Sequence, residues 1–396
     1  MIKLDIDVAA EFPGTRSGPY LDTAARGLLP ASAHAAIKAS LDSMLMGEVD
    51  KATMFATVER ARERFAGLIN GHSAEIAITK NVSEGLNIVA SALPWRQGDN
   101  VVICRELEHP NNIFPWANLK RRLGIDIRDV PAREGRLLAE DVISAIDDRT
   151  RVVSMSEVSF SPGLRADLKA IGKVTRGRDI FLLVDGAQSI GIVHTDVEDA
   201  GIDGLAASTQ KGLMGLYGMG FLYCRRSWAE RLTPAYLARF GVDLGATHEA
   251  ARGSDDFRLM ADARRFDLGN YNYAAAAGVE VSLALLERIG TKAIEAHVTR
   301  LARRLASGLH QLGFEIAGDP SGVHLAGIVS VGRNGTGGHD SSDDPHTQKL
   351  AEDLTRSGVR LSVRQGMVRL SLHLYNDDQD VDHVLAVART LRAKAA

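Results

Sequence analysis

The sequence predicts an α/β fold: a large domain on a mainly parallel seven-stranded sheet, followed by a smaller α+β domain at the C-terminal end. Three observations carry that expectation. Seven short apolar runs alternate with helical patterns through the first two-thirds of the chain, the order that builds parallel sheets. Several of those runs are apolar at every position, as strands covered on both faces are. Past residue 270 the order changes to long helices and then short strands, and 396 residues exceed one average domain.

The strand runs fall at 75–79, 100–104, 126–130, 151–154, 180–185, 204–207 and 220–223, with helices at 33–47, 54–70, 83–93 and 138–146 among them. A polar stretch at 241–265, with Gly, Ser, Thr and many charges, reads as a surface loop or short helices. Next come an Ala-, Val- and Leu-rich helix at 273–289, an amphipathic helix at 292–312 and strand signals at 315–317 and 328–331. A helix at 346–358, strand signals at 359–363 and 367–373, and a last helix from Val381 complete the chain. The divisions are an N-terminal segment 1–19, a large domain 20–268 and a small domain 269–396. The glycine-rich stretch 332–339 lacks the strand-to-helix setting of a nucleotide loop and reads as a surface turn.

Composition narrows the function. Charged residues at 24% and hydrophobic ones at 45% are ordinary for a soluble enzyme. A formal charge of −3 gives no reason to expect nucleic acid or an anionic membrane as partner, which leaves small molecules. Cys104 and Cys224 end apolar runs; they could pair, but without a secretory leader pattern at Met1–Asp5 they read as buried free thiols in a cytoplasmic protein. No apolar run reaches the roughly 18 residues a membrane helix needs.

Asp185 closes the run Ile180-Phe181-Leu182-Leu183-Val184, and Lys211 follows 26 positions later in a small-residue loop, Ala207-Ser208-Thr209-Gln210-Lys211-Gly212. An acid at a strand's carboxyl end stands where α/β sheets bind ligands. With a lysine nearby, this is the arrangement that holds pyridoxal 5'-phosphate as a Schiff base, the acid keeping the pyridine nitrogen protonated. Taken singly, Asp185 reads equally as a helix cap and Lys211 as a solvated side chain.

Four further segments bear on that pairing. Val82 and Ser83 open a helix whose free amides would attract a phosphate, although Ser83 or Asn81 could be a simple cap. Ser208 and Gln210 bring a hydroxyl and an amide to the same place, and Gln188 could reach the ring hydroxyl. His109 could stack on the ring and move protons, or be a surface histidine; no second histidine follows at ligand spacing, so Glu106, Glu108 and His109 do not make a zinc site. Arg369 sits in the apolar run 367–373, where a guanidinium needs a carboxylate: a substrate's, or that of Asp377 or Asp380. Arg364 and His373 are weaker candidates nearby.

Assembled, these segments resemble the class V aminotransferase family of fold type I pyridoxal-phosphate enzymes, the branch of cysteine desulfurases and isopenicillin N epimerase-like proteins. The match runs in order through Tyr20-Leu21-Asp22-Thr23-Ala24-Ala25, Val82-Ser83-Glu84-Gly85, Glu108-His109, Val184-Asp185-Gly186-Ala187-Gln188, Ser208-Thr209-Gln210-Lys211 and Arg369-Leu370-Ser371. The resemblance implies Lys211 as the Schiff-base lysine, Asp185 as pyridinium partner, His109 as the stacking group and Gln188 as the ring-oxygen contact. It implies Val82, Ser83, Ser208 and Gln210 as the phosphate cup and Arg369 as the carboxylate clamp, with Arg26, just past the opening match, as a second substrate-binding candidate. It also implies a homodimer with shared sites, in which Gly269-Asn270-Tyr271-Asn272-Tyr273 reaches the neighbour and Asn270 its phosphate.

Two departures from the family stand out. No cysteine precedes Arg369, and Arg364-Gln365-Gly366-Met367-Val368 leaves no room for the desulfurase cysteine loop, which argues against persulfide chemistry. Glu157 stands where relatives commonly carry Asn or His, and is expected at the cofactor. The expected activity is reaction at the α-carbon of a small amino acid, transamination first. Carbon–sulfur β-elimination without a persulfide cysteine and epimerisation are the alternatives, and a cofactor-binding regulator without catalysis is the remote one.

Overall fold

The computed structural model describes residues 6–245, 255–322 and 324–395. Its main sheet contains seven strands, β1 (Ile76–Thr79), β2 (Asn100–Ile103), β3 (Asp126–Asp129), β4 (Thr150–Ser156), β5 (Phe181–Asp185), β6 (Gly204–Ser208) and β7 (Gly220–Cys224). They lie in the order β1-β7-β6-β5-β4-β2-β3. Only β7 runs against the others, antiparallel to both β1 and β6. Every residue of β5, β6 and β7 is buried, and side chains alternate between the two sheet faces. Leu182 and Val184 join one apolar cluster while Phe181 and Leu183 join the other. Both faces are thus covered, which explains why these runs are apolar at every position instead of alternating.

The helices start where a side chain can satisfy free amides. Asp50 accepts from Ala52 N and Thr53 N to begin Lys51–Leu68, Asn272 accepts from Ala275 N to begin Tyr273–Ile289, and Asp344 accepts from Thr347 N to begin Pro345–Arg356. The helix Tyr273–Ile289 packs on both Ala31–Met46 and Lys51–Leu68. Gly278 permits the first contact, because a Cβ there would lie 2.6 Å from Ile37 Cδ1. Of the polar stretch 241–265, residues 246–254 lie outside the described residues.

A second, antiparallel sheet has the order β8-β10-β9, formed by β8 (Ile328–Val331), β9 (Ser362–Arg364) and β10 (Met367–Ser371). The signal at 315–317 yields only a bridge, Ile316 to Val331. The stretch 20–26 lies against this sheet: Leu21 N donates to Arg360 O and Ser371 N to Leu21 O, both at 2.8 Å. Among the described residues no helix is long and apolar enough to cross a membrane.

Candidate active site

Six of the main strands are parallel, so their carboxyl ends share one edge of the sheet, and the segments leaving that edge converge. After β1 comes Asn81 with Val82 and Ser83, after β2 His109, at the end of β4 Ser156, at the end of β5 Asp185, and after β6 Gln210 and Lys211. Because β7 is reversed, its start brings Tyr217 and Gly218 to the same edge. Together with Asn111, Phe160, Ala187, Gln188 and Ser208 these residues line one cavity of about 300 Å³.

The phosphate end is built from unclaimed donors. Asn81 caps the helix Val82–Ala92 by accepting from Glu84 N at 2.9 Å. The sequence left the cap to Asn81 or Ser83; the structure gives it to Asn81, which leaves Ser83 on the cavity wall. Among the described residues the amides of Val82 and Ser83 have no hydrogen-bond acceptor, so an oxyanion would meet two N–H groups and the positive end of an 11-residue helix. Ser208 and Gln210 line the cavity beside them.

Lys211 is fixed by close backbone packing. Gly27 N donates to Gln210 O at 2.9 Å, and a Cβ on Gly27 would come within 2.2 Å of Lys211 O. Behind the loop, buried His373 bonds Gly212 O through Nε2 at 2.9 Å. Burial pushes the Lys211 amine down, Arg369 and Arg364 add to the effect and Asp185 opposes it, which leaves the pKa at about 8. Asp185 accepts from Ala187 N at 2.9 Å in a turn; no helix begins there, so it is not a helix cap, and it lines the cavity. Burial raises its carboxyl, against the pull of that amide and of Lys211.

His109 accepts from Asn111 N at its Nδ1 (3.2 Å) and meets the Phe160 ring edge-on, 4.9 Å between centroids. Burial, with Lys211, Arg369 and His339 nearby, pushes its pKa down to about 4, so the ring is neutral with its proton on Nε2. Gln188 donates from Nε2 to Ala24 O at 3.1 Å, which ties the cavity floor to the N-terminal stretch.

Arg369 is 1% exposed. Its Nε donates to Ser362 Oγ at 3.1 Å and its Nη1 to Phe160 O at 3.2 Å. Neither Asp377 nor Asp380 pairs with it; Asp380 instead accepts from Asn376 Nδ2 at 2.8 Å. Among the described residues no carboxylate lies in ion-pair range of this guanidinium. Burial and the Arg364 charge push it down to about 10, opposed by Asp22.

Arg369 meets the cavity only through Phe160, and three further expected residues also lie off its wall. Glu157 follows Ser156 in an extended stretch, so alternation turns it to the other face. Its carboxylate accepts from Arg165 Nη2 at 3.0 Å and Thr195 Oγ1 at 2.6 Å, in a separate polar cavity that also contains Lys292 and Glu295. Arg26 is exposed, with its charge felt at Asp22. Asn270 is exposed in left-handed backbone, φ 48°, and is not part of this chain's own cavity lining.

The structure adds residues the motifs did not single out. Glu108 is buried and accepts from Asn112 Nδ2 (2.8 Å), Ser156 N (2.6 Å) and Ser156 Oγ (2.7 Å). Burial and the charge of Asp185 raise it to about 7. Burial raises both of these carboxyls, and the charge of Asp185 adds to the rise at Glu108. Phe160 joins His109 to Arg369, whose Cζ lies 5.2 Å from the ring centroid. The sequence signal for Glu108 was its spacing to Asn112, one helical turn on; Phe160 lies in a loop and had none.

These groups fit pyridoxal 5'-phosphate: a lysine of lowered basicity, a buried acid, a neutral imidazole ring and convergent anion donors in one cavity. Both cysteines are buried and free, and burial raises Cys104 to about 11 and Cys224 further still. Among the described residues no group of three or more His, Cys, Asp or Glu side chains is placed to hold a metal ion.

Comparison with known proteins agrees with this geometry. The sequence model of the family described as "Aminotransferase class-V" matches residues 19–384. A probable cysteine desulfurase of Methanothermobacter thermautotrophicus is 34% identical over 336 residues, 82% of this chain and 81% of that protein. The cysteine desulfurase of Thermococcus onnurineus NA1 superimposes with a TM-score of 0.86 at 25% identity, covering 99% of each chain. The cystine C–S lyase C-DES, in complex with cysteine persulfide, does so with a TM-score of 0.82 at 26% identity, covering 95% of this chain and 99% of that one.

Proposed function

The chain belongs to the class V aminotransferase family, and from that premise we propose that it is a pyridoxal 5'-phosphate enzyme acting at the α-carbon of a small amino acid, with transamination as its reaction. The observation that carries this reading is the convergence of Lys211, Asp185 and the Val82–Ala92 helix start around one cavity, with the carboxylate-free Arg369 held against Phe160 of its wall. When bound, the cofactor supplies an electron sink for charge leaving the α-carbon.

The chain's own residues supply the rest. Val82, Ser83, Ser208 and Gln210 would hold the phosphate, and Asp185 would serve as the acid for the ring nitrogen. The neutral imidazole of His109 would cover the ring, and Gln188 would meet its oxygen. The Arg369 fork grips the α-carboxylate and so orients the Cα–H bond. Lys211 Nζ, with a pKa near 8, takes that proton and returns it close by. Transamination needs no other acid. β-Elimination also needs one for the departing group, and His109, at about 4, is a poor donor near neutrality.

The second reading, carbon–sulfur β-elimination, is favoured by the likeness to the cystine C–S lyase. A persulfide on this chain is disfavoured: Arg364 pairs directly with Met367 across a two-residue turn, which leaves no cysteine loop before Arg369. We further place the enzyme in the cytoplasm as a homodimer, with Asn270 of each copy reaching the other's site.

The test is a panel of amino acids with the purified, cofactor-loaded protein. A yellow protein, a colourless Lys211→Ala variant and formation of keto acid without sulfide are expected. Pyruvate with sulfide would move the reaction to β-elimination, and deuterium entry at Cα without product to epimerisation. A protein that stays colourless with added cofactor overturns the reading altogether.

A further inference from the structure

The β9–β10 hairpin carries two arginines, and the family clamp accounts for one. Strand register sets Arg369 opposite Ser362 and Arg364 opposite Met367. Directly opposed residues share a face, and so do residues two apart on a strand, so Arg364 and Arg369 are diagonal neighbours on one face, about 7–8 Å apart at the backbone. The turn between them is as short as a hairpin allows: Gln365 and Gly366 both have positive φ, 50° and 83°. The charge of Arg364 is felt at Lys211, at Arg369 and at Asp22.

The glycine-rich stretch, expected as a plain surface turn, lies on this hairpin. Gly335 N donates to Gln365 O at 2.9 Å and Gly366 N to Gly338 O at 3.3 Å. A Cβ on Gly366 would come within 2.5 Å of Thr336 C, so the turn glycine is what lets the loop lie so close. The loop delivers Asp340 to Arg364 Nη1 at 3.0 Å, with His339 O on the same nitrogen at 3.1 Å. Asp340 is 83% exposed, and an ion pair with one such partner contributes little. Among the described residues Nε and Nη2 of Arg364 make no hydrogen bond. The charges of both guanidinia are felt at Asp22, but burial holds its carboxyl above the usual range.

We propose that Arg364 is the subsite for an anionic group at the far end of the substrate's side chain, and that Asp340 of the glycine-rich loop occupies it until that group displaces it. The substrate class is then an amino acid with a second carboxylate: aspartate or glutamate if the tail is short, cystine if it is long. The inference rests on the reading of Arg369 as the α-carboxylate clamp. Two carboxylates of one molecule would each meet one arginine of the hairpin, and the Nε–Nη2 edge of Arg364, free of hydrogen bonds among the described residues, offers the bidentate face a carboxylate best fills.

The experiment compares aspartate, glutamate and cystine with alanine and methionine on the cofactor-loaded enzyme, by kcat/KM and by the dissociation constant from visible absorbance. One of the acidic-tailed substrates is expected to exceed the neutral ones by at least about tenfold, as one charge-assisted contact allows. Arg364→Met is expected to cut the acidic-to-neutral ratio by about tenfold or more, and Asp340→Asn, which removes the competitor without touching Arg364, to tighten acidic-tailed binding. Equal handling of both classes by the wild type, an Arg364→Met ratio that does not move, or looser binding in Asp340→Asn would overturn the proposal. If neutral amino acids react normally while the ratio stays flat, the subsite fails and the Lys211 reading stands. If no amino acid reacts, both fail.

Discussion

Among the described residues Arg62 and Arg369 are the two most deeply buried arginines, and they are held in opposite ways. Arg62 is 0% exposed; its Nη2 meets Asp267 at 2.8 Å, its Nε meets Glu59 at 3.3 Å and its Nη1 donates to Ile76 O. Burial lowers its basicity, but Asp267 and Glu59 more than reverse that, and the guanidinium ends above its ordinary range. Asp267 in turn accepts from Ile78 N at 2.8 Å and from the Tyr271 hydroxyl at 2.8 Å, which clips the segment carrying Asn270 to the edge strand β1. Arg369, just as buried, has only a hydroxyl and a carbonyl, and its basicity falls. A charge paired within the protein serves the fold. A charge given only neutral partners costs stability and is retained for a ligand.

That contrast is sharpened first at Arg369. Arg369→Met is expected to lower kcat/KM for every amino acid by about 100-fold or more, since it truncates a buried charged contact, while the melting temperature holds or rises. A melting temperature that falls steeply would erase the distinction between the two arginines. Asp267→Asn is the converse: removing one partner of a buried pair costs about 3–5 kcal/mol, read as a lower denaturant midpoint.

A third expectation concerns the acids behind the lysine. Glu108 has its pKa raised to about 7 from 4.5. Between those values the folded state binds more protons than the unfolded one, so stability falls as pH rises through the window, by on the order of 3 kcal/mol in full. Glu108→Gln in the cofactor-free protein should abolish that part of the slope, and unfolding curves from pH 4 to 8 check it. An unchanged slope would mean that Glu108 is ionised throughout.

Much of the frame was legible because the main strands are covered on both sides. Solid apolar runs such as Phe181–Asp185 and Gly220–Cys224 admit little else, and the segments following them meet at one edge whatever the loops do. Single positions near strand ends were harder. One register step decides whether Ser156 or Glu157 faces the cavity, and the partners that draw Glu157 away, Arg165 and Thr195, lie 8 and 38 residues along the chain. Phe160 and the loop at 332–344 sit in irregular backbone, where no periodicity points to their neighbours. Glu108 had no role in the sequence once a zinc site was set aside, and its three hydrogen bonds come from Asn112 and Ser156, the latter 48 residues along the chain.

The central claim is that Arg369 keeps its fork for a substrate carboxylate beside Lys211. The most direct measurement is a crystal structure of the cofactor-loaded protein with an amino acid bound. The account requires the α-carboxylate on the Arg369 guanidinium at charge-assisted hydrogen-bond distance, about 2.7–2.9 Å, with Cα facing Lys211 Nζ. An amino acid whose carboxylate binds elsewhere, while Arg369 holds only Ser362 and Phe160, would contradict it.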